Sequence, residues 1–382
     1  MRVLIAPDSF KECLSAAAVS GAIARGWRAV APDDELLEMP LADGGEGTTE
    51  VLVGAAGGSL HRCTVTGPLG EPVAAHYGLI PAGALGPGVT AVVEVAEASG
   101  LARVPPSQRD ALRASSRGTG ELIQAALAHR PSRLIVGLGG SASTDAGAGL
   151  MQALGASFCD ASGQSLPAGG AALSELARID VAAARQRLHG VDIVLATDVS
   201  NDLLGVHGSA AVFAPQKGAS TSQVKQLAEA LEHYAAVAAR QGWAVHGFAG
   251  AGAAGGIAGT LAAMLGARIE SGAGLVMQVL GLAQQLSGCD LVITGEGSLD
   301  AQTAAGKTVA AVCRLAQQHG VPVIGLAGRV ADDLQALHDL GLTAAFAIAP
   351  GPLSVAQAMD MAPEHLAKTA GQLARLGKSL LK

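Results

Sequence analysis

Val3-Leu4-Ile5-Ala6-Pro7-Asp8-Ser9-Phe10-Lys11, followed after a helix-like interval by Pro40-Leu41-Ala42-Asp43-Gly44-Gly45-Glu46-Gly47-Thr48, decides the reading of this chain. Residues 3–7 and 36–41 are short apolar runs, predicted as strands, and each leads into a polar loop that carries an acid. Between them Ser15 is placed to cap a helix over 16–29, with Val19, Ile23 and Trp27 at near-helical spacing. A further helix starts at Thr48, after the glycines of 44–47. This βαβα opening predicts a parallel sheet. In such sheets ligands bind at the loops following the carboxyl ends of the strands. Asp8, Lys11 and Asp43 stand there, which suits an anion, a metal or a phosphorylated ligand.

The same rhythm returns near the end. Residues 291–294, 323–326 and 345–348 read as short strands separated by helices. In the middle, turn residues become dense from Thr66-Gly67-Pro68-Leu69-Gly70 to Pro87, as expected of hairpins or a domain crossing. Strands are predicted at 91–95, 134–138 and 193–196, and a long helix at about 221–241. The architecture expected is α/β. A discontinuous, flavodoxin- or Rossmann-like doubly wound domain (1–65 plus 290–382) would carry a second α/β domain (66–289) inserted into it. The ligand loops would face the cleft between the two.

Composition supports a large folded interior. The 382 residues are 49% hydrophobic and 15% charged, which argues against disorder. Aromatics are 2%, so aliphatic side chains must build the core. The net charge of −7 comes without a basic stripe, which disfavours nucleic acid as a partner. The five cysteines form no C-x-x-C, so neither a disulfide framework nor a structural zinc site is expected. With no leader and no long apolar run, no membrane association and a cytoplasmic location are expected.

Four glycine-bearing stretches carry the chemistry. Gly250-Ala251-Gly252-Ala253-Ala254-Gly255 matches G-x-G-x-x-G, with Glu270 downstream. It reads as a dinucleotide site, a phosphate or backbone-approach loop, or a helix-packing stretch. Gly306-Lys307-Thr308 resembles the end of a P-loop without its first glycine, and Lys307 still suits a phosphate contact. Residues 137–149 combine Gly139, Gly140, Gly147 and Gly149 with Ser141, Ser143, Thr144 and Asp145, so amides and hydroxyls are available to phosphate oxygens. They equally suit a tight strand–helix turn. Asp198, after the strand at 193–196, is placed for magnesium, for a hydroxyl nucleophile or as a helix cap. Lys217, in Pro215-Gln216-Lys217-Gly218, reads as a phosphate lysine or a loop lysine. No H-E-x-x-H or G-x-S-x-G is present, which disfavours zinc-protease and serine-triad chemistry.

Taken in order, these stretches resemble the bacterial glycerate kinase family of the first type, along almost the whole chain. The resemblance rests on 6–11, 40–48, Arg117-Gly118-Thr119-Gly120-Glu121-Leu122, 137–149, Asp198-Val199-Ser200-Asn201, 215–219, 250–256, 295–308 and Gly351-Pro352-Leu353-Ser354. It implies ATP- and Mg²⁺-dependent phosphorylation of D-glycerate on two α/β domains. The product implied is 2-phosphoglycerate, with 3-phosphoglycerate as the alternative. Ser298 departs from the family pattern, where an arginine commonly follows Gly-Glu-Gly; so do Ser143-Thr144, Asp202 and Ala214.

On this footing Asp43, Lys11 and Asp198 are the catalytic candidates, with Asp43 or Asp198 accepting the hydroxyl proton. Asp8, Ser9, Gly44, Gly45 and Glu46 are the substrate candidates. Gly139, Gly140, Ser141, Asp145, Lys217, Gly252, Gly255 and Lys307 are the nucleotide candidates. Asp198, Glu296 and Asp300 are candidates for Mg²⁺. An NAD-dependent dehydrogenase using 250–255, or a non-catalytic small-molecule sensor, are the readings from other classes. The assembly stays open, with a homodimer among the options.

Overall fold

The computed structural model describes residues 1–301, 303–305 and 308–380. Its strands are β1 (Arg2–Ile5), β2 (Glu35–Glu38), β3 (Ser59–Thr66), β4 (Pro72–Ile80), β5 (Thr90–Glu94), β6 (Arg133–Gly137), β7 (Ser157–Cys159), β8 (Arg178–Asp180), β9 (Asp192–Ala196), β10 (Arg268–Glu270), β11 (Leu291–Leu299), β12 (Val323–Val330) and β13 (Leu342–Ala347). The chain divides into two compact units: Met1–Asp43 with Ala273–Lys382, and Gly44–Gly272.

The first unit holds a parallel sheet in the order β13-β12-β11-β1-β2. Numbered within the unit, this is the order 2-1-3-4-5 of the flavodoxin-like fold. Its strand order reverses between β1 and β11, so the loops after those two strands flank the switch point where ligands bind. The helix Ala16–Arg28 starts where the sequence places it, with Ser15 Oγ accepting from the Ala18 amide at 3.3 Å. Its apolar face buries Val19, Ile23 and Trp27 against Val3, Ile5 and Ile293 of the sheet and Leu366 of the helix Ala362–Leu380.

The second unit holds a mixed sheet, β10-β9-β6-β5-β4-β3, in which β10, β9, β6 and β5 run parallel and β4 is antiparallel to both β5 and β3. The turn-rich stretch after Thr66 closes the β3–β4 hairpin, with Gly67 donating to the Glu71 carbonyl. The helix Thr48–Ala55 is tied to β5 through Glu94, so this unit begins at Gly44 rather than after residue 65. At the other crossing the chain returns at Ala273, before residue 290.

The G-x-G-x-x-G stretch lacks the setting of a dinucleotide fingerprint, because no strand leads into it. The helix Ala253–Leu265 instead opens through left-handed residues Ala254, Gly255 and Gly256. A Cβ on Gly255 would lie 2.1 Å from the Ser143 carbonyl oxygen. That glycine serves a close approach to the 143–146 loop, where Ala146 N donates to the Gly255 carbonyl at 2.9 Å.

Candidate active site

In the first unit β1 ends at Ile5, and its extension is held to β11 by the Asp8 amide donating to the Gly295 carbonyl at 2.8 Å. This places Asp8 at the switch point, 4% exposed. Oδ1 accepts from the Ser9 amide at 2.6 Å, and Oδ2 accepts from the Thr308 hydroxyl at 2.5 Å. Burial, and then the neighbouring charge of Asp43, push the Asp8 carboxyl up to about 7, against the pull of Thr308, Ser9 and Lys11. Lys11 Nζ lies 3.6 Å from Asp43 Oδ2. The opening loops therefore assemble two acids and a lysine, one acid titrating near neutrality. That combination suits holding a hydroxylated anion and accepting its proton.

Glu296 and Asp300 come from the second edge of the switch point, Glu296 within the last half of β11 and Asp300 just beyond its end. Thr303 joins them: its hydroxyl donates to Glu296 Oε1 at 2.6 Å and accepts from the Asp300 amide at 3.2 Å. A cavity of about 540 Å³ opens here, with Ser9, Lys11, Glu296, Asp300 and Arg329 in its wall. Lys307 lies outside the described residues.

In the second unit the loop at Gly44, Gly45 and Glu46 meets the loop at Gly139 and Gly140. The Gly139 amide donates to the Gly44 carbonyl at 3.0 Å. A Cβ on Gly139 would lie 2.4 Å from Gly45 Cα, so position 139 must be glycine for the loops to touch. Glu94, at the end of β5 and 2% exposed, accepts from the Gly47 amide at 3.1 Å and the Thr49 amide at 2.5 Å. Burial lifts its carboxyl to about 8.

Asp145 and Lys217 face inward. Asp145 accepts from the Ser116 amide and hydroxyl at 2.8 and 2.9 Å, and from the Gly147 and Gly149 amides. Lys217, 3% exposed, donates to Ser141 Oγ at 3.0 Å and to the Ser143 carbonyl. Burial drives its ammonium down to about 7. Both side chains brace the 141–149 loop. Asp198 follows β9 and accepts from the Ser271 hydroxyl at 2.7 Å. Gly252 packs against the Asp202 carbonyl oxygen, which a Cβ would approach to 2.3 Å.

The candidates thus separate by unit: Asp8, Ser9, Lys11, Asp43, Glu296 and Asp300 in the first, the glycine loops, Asp145, Asp198 and Lys217 in the second. Among the described residues no three His, Cys, Asp or Glu side chains form a metal-holding group. The sequence reading passed over Glu94 and Arg329. A glutamate inside a buried apolar run is a signal, because an ionisable group there must find donors. Arg329 becomes visible only through register, as the β12 partner of Ser298.

Comparison with known proteins gives a consistent result. The model of the "Glycerate kinase family" matches residues 3–378. The chain is 44% identical over 375 residues to a glycerate kinase of Bacillus subtilis (strain 168), covering 98% of this chain and 97% of the relative. It is 45% identical over 352 residues to the glycerate 2-kinase of Escherichia coli (strain K12), covering 91% and 90%. A crystal structure from Salmonella typhimurium LT2, assigned as a glycerate kinase 2, superposes with a TM-score of 0.82 at 43% identity, over 100% of this chain and 99% of the other.

Proposed function

The chain belongs to the glycerate kinase family, and we propose that it transfers the γ-phosphoryl group of ATP to D-glycerate, giving 2-phosphoglycerate and ADP. The observation that carries the reading is the assembly of Asp8, Lys11 and Asp43 at the switch point of a flavodoxin-order sheet, in a chain with that relationship. The 2-position is supported by the name of the Escherichia coli relative. A cytoplasmic location goes with it; among the described residues no helix is long and apolar enough to cross a membrane.

Phosphoryl transfer is governed by positioning and charge neutralisation. Lys11 binds the substrate carboxylate, and Asp43 takes the proton from the attacking hydroxyl. Asp8, pinned by Ser9 and Thr308, accepts a hydrogen bond from substrate when ionised. The amides of Gly44 and Gly45, fixed by Glu94 and Gly139, hold the substrate, with Glu46 beside them. Gly139, Gly140 and Ser141 offer donors to phosphate oxygens, and Lys217 and Asp145 act by keeping that loop in shape.

Glu296 and Asp300 fit magnesium, which takes one or two carboxylates together with phosphate oxygens and water. When bound, it would neutralise charge on the phosphates. Purified protein supplied with ATP, Mg²⁺ and D-glycerate, with products resolved by ³¹P NMR, tests the proposal. ADP with 2-phosphoglycerate is expected. Failure to form ADP overturns the reading, and 3-phosphoglycerate overturns the choice of hydroxyl.

A further inference from the structure

Lys217 and Ser141 meet inside the second unit, 76 residues apart in sequence. Lys217 ends the single turn Pro215–Lys217 and is 3% exposed. Its Nζ donates to Ser141 Oγ at 3.0 Å and to the Ser143 carbonyl. An ammonium has three donors and no lone pair, so Ser141 Oγ is the acceptor in this contact. A serine hydroxyl then still holds one proton to give, and no acceptor for it lies among the described residues. Backbone bonds fix the place of the hydroxyl. Gly100 and Ser141 form an antiparallel bridge, the Leu101 amide donates to the Gly140 carbonyl at 2.7 Å, and the Ala142 amide donates to the Ser99 carbonyl at 2.9 Å. Ser141 keeps 8% of its surface exposed in the loop after β6.

A hydroxyl held in this way is a directed donor. The lysine occupies a lone pair, which leaves the proton for an anionic oxygen of a ligand, and a charged partner beside the hydroxyl strengthens that bond. The direction depends on the charge of the lysine. A neutral amine has a lone pair, so the serine proton can turn inward to it and away from a ligand. Burial drives the Lys217 ammonium down to about 7, against the charge of Asp145, so both states are reached near neutrality. Asp145 is itself held by the Ser116 amide and hydroxyl. Arg109 and Asp110 share with Lys217 the wall of a small cavity. Arg109 Nη1 donates to the Gln216 carbonyl at 3.0 Å, and Asp110 Oδ1 accepts from the Leu112 and Arg113 amides at 3.1 and 3.2 Å.

We propose that Lys217 is a positioning residue for phosphoryl transfer, whose ammonium aims the Ser141 proton at a phosphate oxygen of ATP. This rests on the kinase reading of the 139–149 loop and gives the lysine a part beyond keeping that loop in shape. Calorimetric ATP affinities of the full-length parent, Ser141→Ala, Lys217→Met and the double variant test it, from about pH 6 to about pH 8.5, with a thermal melt on each. Comparing parent with Ser141→Ala at each pH cancels the ionisation of ATP itself. The parent should bind ATP about tenfold more tightly than Ser141→Ala near pH 6, and the advantage should shrink to about threefold or less near pH 8.5. At the lower pH, Lys217→Met should weaken ATP severalfold in the parent and have little further effect in Ser141→Ala, because the lysine acts through that hydroxyl. An equal loss in both backgrounds would mean that the lysine only shapes the loop, and would overturn the proposal. So would an advantage of the parent that is constant across pH, or absent throughout. Should Lys217→Met not fold, the pH course of parent and Ser141→Ala decides alone. A protein that binds ATP with this pH-dependent advantage yet yields no phosphoglycerate would refute the kinase reading and leave the Lys217–Ser141 pair standing.

Discussion

The Thr308 hydroxyl donates to Asp8 Oδ2 at 2.5 Å, tying the first loop of the chain to a helix some 300 residues later. This bond favours the ionised form of Asp8, which burial and Asp43 oppose. Thr308→Val removes it, and a hydrogen bond to a charged group is worth about 1.5–3 kcal/mol. At about 1.4 kcal/mol per unit, the Asp8 carboxyl should rise by about one unit or more. Because the ionised form accepts from substrate, the acid limb of kcat/KM for D-glycerate should move to higher pH by that amount. A pH profile of parent and variant measures it; coincident limbs would remove Asp8 from the ionisations that control turnover.

Asp43 and Asp198 compete for the role of base, and their surroundings differ. Asp43 lies beside Lys11, whereas Asp198 accepts from Ser271 in the other unit. Asp43→Asn should lower kcat by about 10²–10⁴ with the fold intact. Asp198→Asn should lower it far less. Steady-state kinetics with a thermal melt on each variant checks this, and the reverse ranking would transfer the role to Asp198.

The strands were legible because a parallel sheet buried on both faces writes continuous apolar runs, as at 3–7, 134–138 and 193–196. Their ends located Asp8, Asp43, Asp198 and the 139–149 loop. What stayed illegible depended on pairing between distant segments. The Thr66-Gly67-Pro68 stretch reads as a hairpin or a domain crossing, and only the ladder between β3 and β4 decides for the hairpin. Lys217 reads as a surface or phosphate lysine because sequence does not reveal that Ser141 and Ser143 enclose it. Gly250 to Gly255 matches a fingerprint, but those glycines answer to the neighbouring backbone of Ser143 and Asp202, which no local pattern records.

His76 forms ion pairs with Glu50 at 3.0 Å and Glu97 at 2.8 Å, joining β4 to two helices of the second unit. Hydrogen bonds to Glu50 and then Glu97 lift its imidazolium to about 10. Folding therefore gains from the charged form. The gain is complete below about 6.5, the unfolded value, and is lost as pH rises through about 10. His76→Gln should lower the melting temperature at pH 6 and leave little difference from the parent beyond pH 10. A constant difference across that range would mean the contacts act through packing alone.

Glu94 gives the sharpest separation of charge from geometry. Its buried carboxylate receives the Gly47 and Thr49 amides, so it fixes the turn into the helix Thr48–Ala55 and with it the 44–46 loop. Its carboxyl rises from 4.5 to about 8, chiefly through burial. The folded state thus keeps a proton that the unfolded chain releases, and stability should fall as pH rises from about 4.5 towards 8. Glu94→Gln removes the titration while retaining an acceptor oxygen, so its stability should be nearly flat over that interval. Glu94→Ala is also flat but orphans two buried amides, each at about 1–3 kcal/mol, and should melt lower at every pH. Through the loop, Glu94→Gln should raise KM for D-glycerate severalfold with kcat little changed, since Lys11 and Asp43 are untouched. Urea midpoints from pH 4.5 to 8, read beside the two kinetic constants, test both halves. A pH-dependent slope surviving in Glu94→Gln would assign it to another group, and a fall confined to kcat would show that this carboxylate does more than hold the loop.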